Sequence, residues 1–227
     1  MRKMLVVSSL DAASFYLESL PAFRTKLKAF NQAARHRPWF ALCDLDHDEC
    51  APARVRDFLS DPASGMCFRI AERTVEAWLL ADRASIARFL SVSGDLVNAD
   101  PERLPAPKSH LVSLARRSRS RAVREGLVPA EGDSRRVGPE YTLLMSEYAR
   151  ERWNPLRAAD RSPSLQRAMV CLRTLLRVAA GSDGGRTLKR IKADVDFIEG
   201  SGDTAAVVLM RKVSKGVGRS PVGACGF

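Results

Sequence analysis

Trp39-Phe40-Ala41-Leu42-Cys43-Asp44-Leu45-Asp46-His47-Asp48-Glu49 decides the fold. Five apolar residues in a row, too few for a helix core, read as a strand buried on both faces of a sheet, and the sudden acidic block marks where that strand ends. Upstream, Met4 to Val7 is a short apolar strand candidate, and Leu10 to Leu20 carries apolar residues at helical spacing up to Pro21. Residues 22–35 read as an amphipathic helix with Phe23, Leu27 and Phe30 on one side. Downstream, Pro52 to Leu59 reads as a short helix, Met66 to Ile70 as a second buried strand, and Arg73 to Val92 as one long helix. This alternation predicts an α/β layer architecture with a mostly parallel sheet flanked by helices.

The stretch Asn98 to Pro107 holds three prolines and is read as a boundary. It separates an α/β domain, residues 1–97, from a basic helical extension, residues 98–180. Within the extension, Lys108 to Leu127 reads as an Arg-rich helix, followed by a polar loop with Gly132 and Gly138 and helices near Tyr141 to Arg150 and Pro163 to Ala180. Ser162 before Pro163 is a good N-cap and first-turn pair. The linker-like Gly181-Ser182-Asp183-Gly184-Gly185 opens a poorly defined tail, residues 181–227, with a strand candidate at Val207 to Met210 and a flexible end at Lys215 to Phe227.

The formal charge of +11 over 227 residues is unevenly spread. Residues 1–82 balance 11 basic against 11 acidic side chains, whereas residues 83–227 hold 26 against 15. A carboxylate-bearing front half is joined to a cationic back half, and such a basic surface concentrates polyanions, above all nucleic acid. Arg116, Arg117, Arg119, Arg121 and Arg124 carry the densest charge. On a continuous helix Arg117, Arg121 and Arg124 share a face, and with Arg116 they form the candidate phosphate contacts. No aromatic residue interleaves with them, which suggests backbone attraction rather than base stacking. The alternative is a solvated helix face.

Five cysteines without a CxxC pair argue against zinc, and the chain is expected to fold without disulfides. No apolar run approaches the length of a membrane span and no signal segment is legible, so the expected location is the cytoplasm.

Asp44 and Asp46, spaced i, i+2 at a strand end, point the same way, and the carboxyl ends of strands are where α/β sheets gather ligands. Their mutual repulsion is relieved by a hard cation such as Mg²⁺ or Mn²⁺. An EF-hand loop starting at Asp44 fails, because its sixth position is Glu49 and its twelfth Val55. A haloacid-dehalogenase phosphatase would use Asp44 as nucleophile and Asp46 as acid, but Asp48 stands where Thr or Val is usual. A plain solvated turn is the remaining alternative. Glu76, in the apolar Val75-Glu76-Ala77-Trp78-Leu79-Leu80-Ala81-Asp82, needs a partner and is the candidate third acid; Glu72 would share its face on a helix starting at Arg73.

Phe30-Asn31-Gln32-Ala33-Ala34-Arg35, Pro38-Trp39-Phe40, Asp44-Leu45-Asp46-His47-Asp48, Glu76-Ala77-Trp78-Leu79-Leu80-Ala81-Asp82 and Arg161-Ser162-Pro163-Ser164-Leu165 together resemble a bacterial family, domain of unknown function 4276, which is TOPRIM-like. The resemblance implies a Mg²⁺-dependent nuclease or phosphodiesterase related in type to the overcoming-lysogenization nucleases, with Asp44 and Asp46 as metal ligands and Glu76 as the third acid. It further implies an ATPase partner, of AAA or ABC type, in phage defence. One departure stands out. After Leu5-Val6-Val7 a TOPRIM domain places a Glu, and here Ser8-Ser9 follows, with no acid until Asp11. Either Asp11 or Glu18 substitutes, the N-terminus is divergent or truncated, or catalysis is impaired and the chain is an interaction subunit that binds an ATPase or nucleic acid.

Overall fold

A computed structural model describes residues 4–8, 13–17, 20–45 and 50–182. Asp11, Glu18, Asp46 to Glu49, and the whole tail beyond Ser182, including Val207 to Met210 and Lys215 to Phe227, lie outside the described residues.

The sheet is built from β1 (Met4–Ser8), β2 (Ala13–Leu17), β3 (Trp39–Asp44) and β4 (Met66–Ala71), in the order β2-β1-β3-β4. The α/β class holds, but the mostly parallel sheet is corrected. Among the described strands only β3 and β4 are parallel; β1 pairs antiparallel with both β2 and β3. The reason is local. Ala13 to Leu17, read as helix from its apolar spacing, returns directly on β1 with Val6 opposite Phe15, and a short return of this kind imposes antiparallel pairing. Strand pairing there overrides the helical periodicity of the isolated segment.

Helix α1 (Leu20–Ala33) and helix α2 (Ala51–Phe58) cover one face of the sheet. Phe23 and Leu27 of α1 and Phe58 of α2 meet Ala41, Cys43, Phe68 and Ile70 there. The rings of Phe23, Phe58 and Phe68 lie with centroids 5.8–6.2 Å apart. The other face, Phe40, Leu42, Cys67 and Ala71, packs against the remaining helices. β3 is therefore buried at all six positions, as its unbroken apolar run requires.

Those helices are α3 (Val75–Ala81), α4 (Arg83–Phe89), α5 (Pro107–Arg116), α6 (Arg121–Leu127), α7 (Tyr141–Glu151), α8 (Pro155–Ala159) and α9 (Pro163–Ser182). One hydrophobic cluster joins the strands to Trp78, Ile86, Leu111, Tyr148 and Leu165, across the proline-rich stretch. Among the described residues no helix is long and apolar enough to cross a membrane.

Two single helices of the sequence reading are each broken in two. The Arg73–Val92 helix breaks at Asp82, whose 2% exposed carboxylate accepts the Asn154 amide at 2.9 Å and both arms of Arg157 at 2.9 and 3.2 Å. The Lys108–Leu127 helix breaks at Ser118 to Ser120, where serine hydroxyls compete for local backbone groups. Ser118 Oγ accepts the Ser120 amide, and Ser120 caps α6 by accepting the Val123 amide. Ser162 does cap α9 as expected, accepting the Leu165 amide at 3.3 Å.

A further correction concerns Cys67 and Cys171, which form a disulfide between β4 and α9 with Cα atoms 6.1 Å apart. Cys67 lies on the face of β4 that α9 covers, so two residues separated by 104 positions become neighbours, and no spacing rule exposes that pair.

Helix α4 ends with Ser91 in the left-handed region, φ 54°, and the Val92 amide returns to the Ala87 carbonyl at 3.0 Å. This is the helix ending in which glycine is the favoured residue. Ser91→Gly is therefore expected to stabilise the protein by about 1 kcal/mol, a rise of about 2–4 °C in Tm by calorimetry. An unchanged or lowered Tm would show that the serine side chain offsets the backbone strain.

Candidate metal and carboxylate site

β3 delivers Asp44 to the carboxyl edge of the sheet, in register with Ala71 of β4 and on the same face as Phe40 and Leu42. Its carboxylate is 6% exposed, and Oδ1 accepts the Val75 amide at 2.9 Å. Val75 is the first residue of α3. Asp44 thus serves the head of α3 as an N-cap side chain does, while Thr74, which occupies the cap position, makes no cap bond. Thr74 Oγ1 is instead buried with no hydrogen-bond partner among the described residues. The turn that leads into it is strained, since Arg73 holds φ 65°.

Glu76 follows one residue after the amide that Asp44 holds. It is 4% exposed, and its Oε1 accepts the Tyr141 hydroxyl at 3.3 Å and lies 3.4 Å from Lys108 Nζ. The Lys108 ammonium also sits 5.3 Å from the centre of the Tyr141 ring. Burial, then the Glu76 charge, then the hydrogen bond to Glu76 push the Tyr141 phenol well above its ordinary range. Burial, followed by the charge of Asp82, likewise raises Tyr148. A native chain with such tyrosines loses stability as pH rises past the ordinary phenol pKa of about 10, because the unfolded state releases protons that the folded state keeps. The chain has three tyrosines, so at most a third of the full tyrosinate absorbance is expected before alkaline unfolding. Full amplitude in the still-folded protein would contradict this burial.

Asp44 lies at the end of β3 and Glu76 in the first turn of the helix whose head Asp44 holds, and the two carboxylates have separate partners. Glu72 does not join them, a correction to the shared helical face: α3 starts at Val75, so Glu72 lies before the helix and pairs with Arg167 of α9. Asp46, the other half of the acidic pair, lies outside the described residues. Among the described residues no group of three His, Cys, Asp or Glu side chains is arranged to hold a metal ion.

Comparison of the chain with protein-family models, with curated proteins and with solved structures returns no match.

The arginines are redistributed by the break between α5 and α6. Arg121 pairs with Glu125 at 2.7 Å on the surface, and Arg124 turns back to the Ser118 carbonyl. The single face of Arg117, Arg121 and Arg124 is therefore not formed. Arg116 and Arg117 are exposed and make no ion pair among the described residues.

Sequence reasoning missed Lys108, Tyr141 and Thr74. It also missed a further buried carboxylate, Glu102, in the one-turn 3₁₀ segment Pro101–Arg103. Glu102 Oε1 accepts the Ser162 hydroxyl at 2.5 Å, the Ser164 hydroxyl at 2.6 Å and the Ser164 amide at 3.0 Å. Ser164 Oγ in turn accepts the Trp78 indole N–H at 2.7 Å and the Glu72 amide at 3.2 Å. The only sequence signal for this clasp was the Ser-Pro-Ser run itself.

Proposed function

We propose that the carboxyl edge of β3 is a divalent-cation site and that the protein is a TOPRIM-like phosphodiesterase acting on nucleic acid. The observation that carries this reading is the burial of two carboxylates at the head of one helix, Asp44 on the Val75 amide and Glu76 in the first turn. The donor set fits a hard cation: two carboxylates and a buried hydroxyl oxygen, Thr74 Oγ1, without nitrogen or sulfur. Asp44 and Glu76, with Asp46, would hold Mg²⁺ or Mn²⁺. When bound, such an ion polarises a phosphoryl oxygen and lowers the pKa of water.

The chain's own residues set the stage. Asp44 fixes the start of α3 and so the position of Glu76. Tyr141 keeps its proton and orients Glu76 through a donated hydrogen bond. Lys108 offsets the Glu76 charge and, one-third exposed, reaches the surface where a phosphate would approach.

The test is cleavage of single- and double-stranded nucleic acid with Mn²⁺ by the wild type and by Glu76→Gln. Cleavage lost about a hundredfold or more in the variant supports the site. Equal cleavage in both refutes it. A second reading, a non-catalytic subunit that binds an ATPase or nucleic acid, is favoured by the Lys108–Glu76 pair, which already neutralises the acid. Absence of cleavage with copurification of an ATPase supports that reading.

A further inference from the structure

The break between α5 and α6 forms a notch against the end of α4. Its volume is about 490 Å³, and Ala87, Arg88, Ser91, Val92, Arg119 and Ser120 line it. A main-chain bond joins the two walls, the Arg119 amide donating to the Ser91 carbonyl at 3.1 Å, while the Val92 amide closes the α4 wall on the Ala87 carbonyl at 3.0 Å. The outer wall is braced from behind, since Ser118 is buried, its Oγ accepts the Ser120 amide at 2.9 Å, and Arg124 binds the Ser118 carbonyl. Arg124 thus shapes the turn instead of facing a ligand.

The lining of the notch carries charge of one sign. No acidic residue occurs from Leu104 to Arg124 or from Arg83 to Gly94. Arg88, Arg116, Arg117 and Arg119 are all exposed, and their side chains make no ion pair among the described residues. Arg88 and Arg116 stand in the last turns of α4 and α5, where a cation complements the helix carbonyls. Arg117 is the C-cap of α5, and Arg119 lies beyond the helix. Arginines on two walls, with Ser91 and Ser120 also in the lining, match the donor pattern that positions a phosphodiester backbone. The absence of an exposed aromatic residue from the lining leaves no platform for a base.

We infer that this notch is an anchor for the nucleic-acid backbone, sequence-independent, with Arg88 and Arg119 as its two jaws and Arg116 and Arg117 extending it. The inference rests on the nucleic-acid half of the reading above and not on the metal site. A strand held here is bound through its phosphates alone, so affinity depends steeply on salt.

Fluorescence anisotropy of a labelled oligonucleotide across a salt series in EDTA tests the anchor. The wild type is expected to bind, and Arg88→Gln/Arg119→Gln to bind about tenfold or more weakly, with a salt slope lower by about two. The control Arg103→Gln/Arg135→Gln removes the same charge from two exposed ion pairs and is expected to stay near the wild type. Equal losses in both variants, or none in the first, overturn the anchor. Should the first variant fail to fold by circular dichroism, Arg116→Gln/Arg117→Gln replaces it, with the same direction expected. Displacement by inorganic phosphate at the same total phosphate concentration would show a free-anion site and also overturn the inference. EDTA removes divalent ions from this binding measurement, so failure of the metal reading leaves the result untouched, and failure of the anchor leaves the cleavage test untouched.

Discussion

Gly138→Ala is expected to leave the protein largely unfolded at ambient temperature. A Cβ at this position would lie 2.5 Å from the Gly126 carbonyl oxygen and 2.6 Å from both Leu127 C and Val128 N. All three are main-chain atoms at the end of α6, so no side chain can swing aside. The same contact is fastened by the Gly138 amide to the Leu127 carbonyl and by the Glu140 amide to the Gly126 carbonyl, each at 2.9 Å. Separating the two stretches of chain enough to admit a methyl group breaks both bonds and shifts the start of α7. The expected cost is about 4 kcal/mol or more, read from the urea midpoint. Because α7 begins with Tyr141, a surviving folded fraction should also show a more easily ionised tyrosine. Gly132 is the comparison: it has φ 80° and open space around it, so Gly132→Ala should cost about 1 kcal/mol. A Gly138→Ala protein as stable as Gly132→Ala would contradict this packing.

Glu102→Ala should rank next. One carboxylate oxygen accepts three hydrogen bonds from Ser162 and Ser164, and those serines are 0% and 2% exposed. Removing the acceptor leaves two buried hydroxyls and one amide without it, each worth about 1–3 kcal/mol, so a loss of about 3 kcal/mol or more is expected. Glu102→Gln keeps the shape and one acceptor oxygen and should lose less than half as much. The clasp also holds Trp78, through Ser164, so the near-ultraviolet circular dichroism should change in the alanine variant first. Wild-type stability in Glu102→Ala would show that the serines find other partners.

The parts of this molecule legible in the sequence are those decided by local pattern. β3 and β4 follow from unbroken apolar runs, α1 from its apolar stripe, the cap of α9 from Ser162-Pro163, and Asp44 from the acid that ends a buried strand. Where partners come from far along the chain, pattern fails. β2 looked helical until β1 paired with it. Asp82 looked like one more residue of a long helix, yet it ends α3 because Arg157 and Asn154, more than seventy positions away, claim its carboxylate. Glu76 was recognisable as an acid in need of a partner, but nothing near it in sequence named Lys108 or Tyr141. Cys67 read as a small hydrophobe for the same reason, its partner Cys171 being a whole domain's length away. The arginine-rich segment shows the opposite error, in which a regular spacing suggested a continuous helix that Ser118 and Ser120 interrupt.

The central claim is that Asp44 and Glu76 belong to one divalent-cation site, and titration calorimetry with Mn²⁺ and Mg²⁺ addresses it most directly. The proper comparison is Asp44→Asn/Glu76→Gln. Each substituted side chain retains a carbonyl oxygen, one to accept the Val75 amide and the other to accept the Tyr141 hydroxyl, so the fold is kept while both charges are removed. Saturable binding by the wild type that disappears in the folded double variant is the predicted result. Binding of equal strength in both proteins, or no binding in the wild type, would contradict the account and leave Asp44 as the cap of α3 and Glu76 as the partner of Lys108.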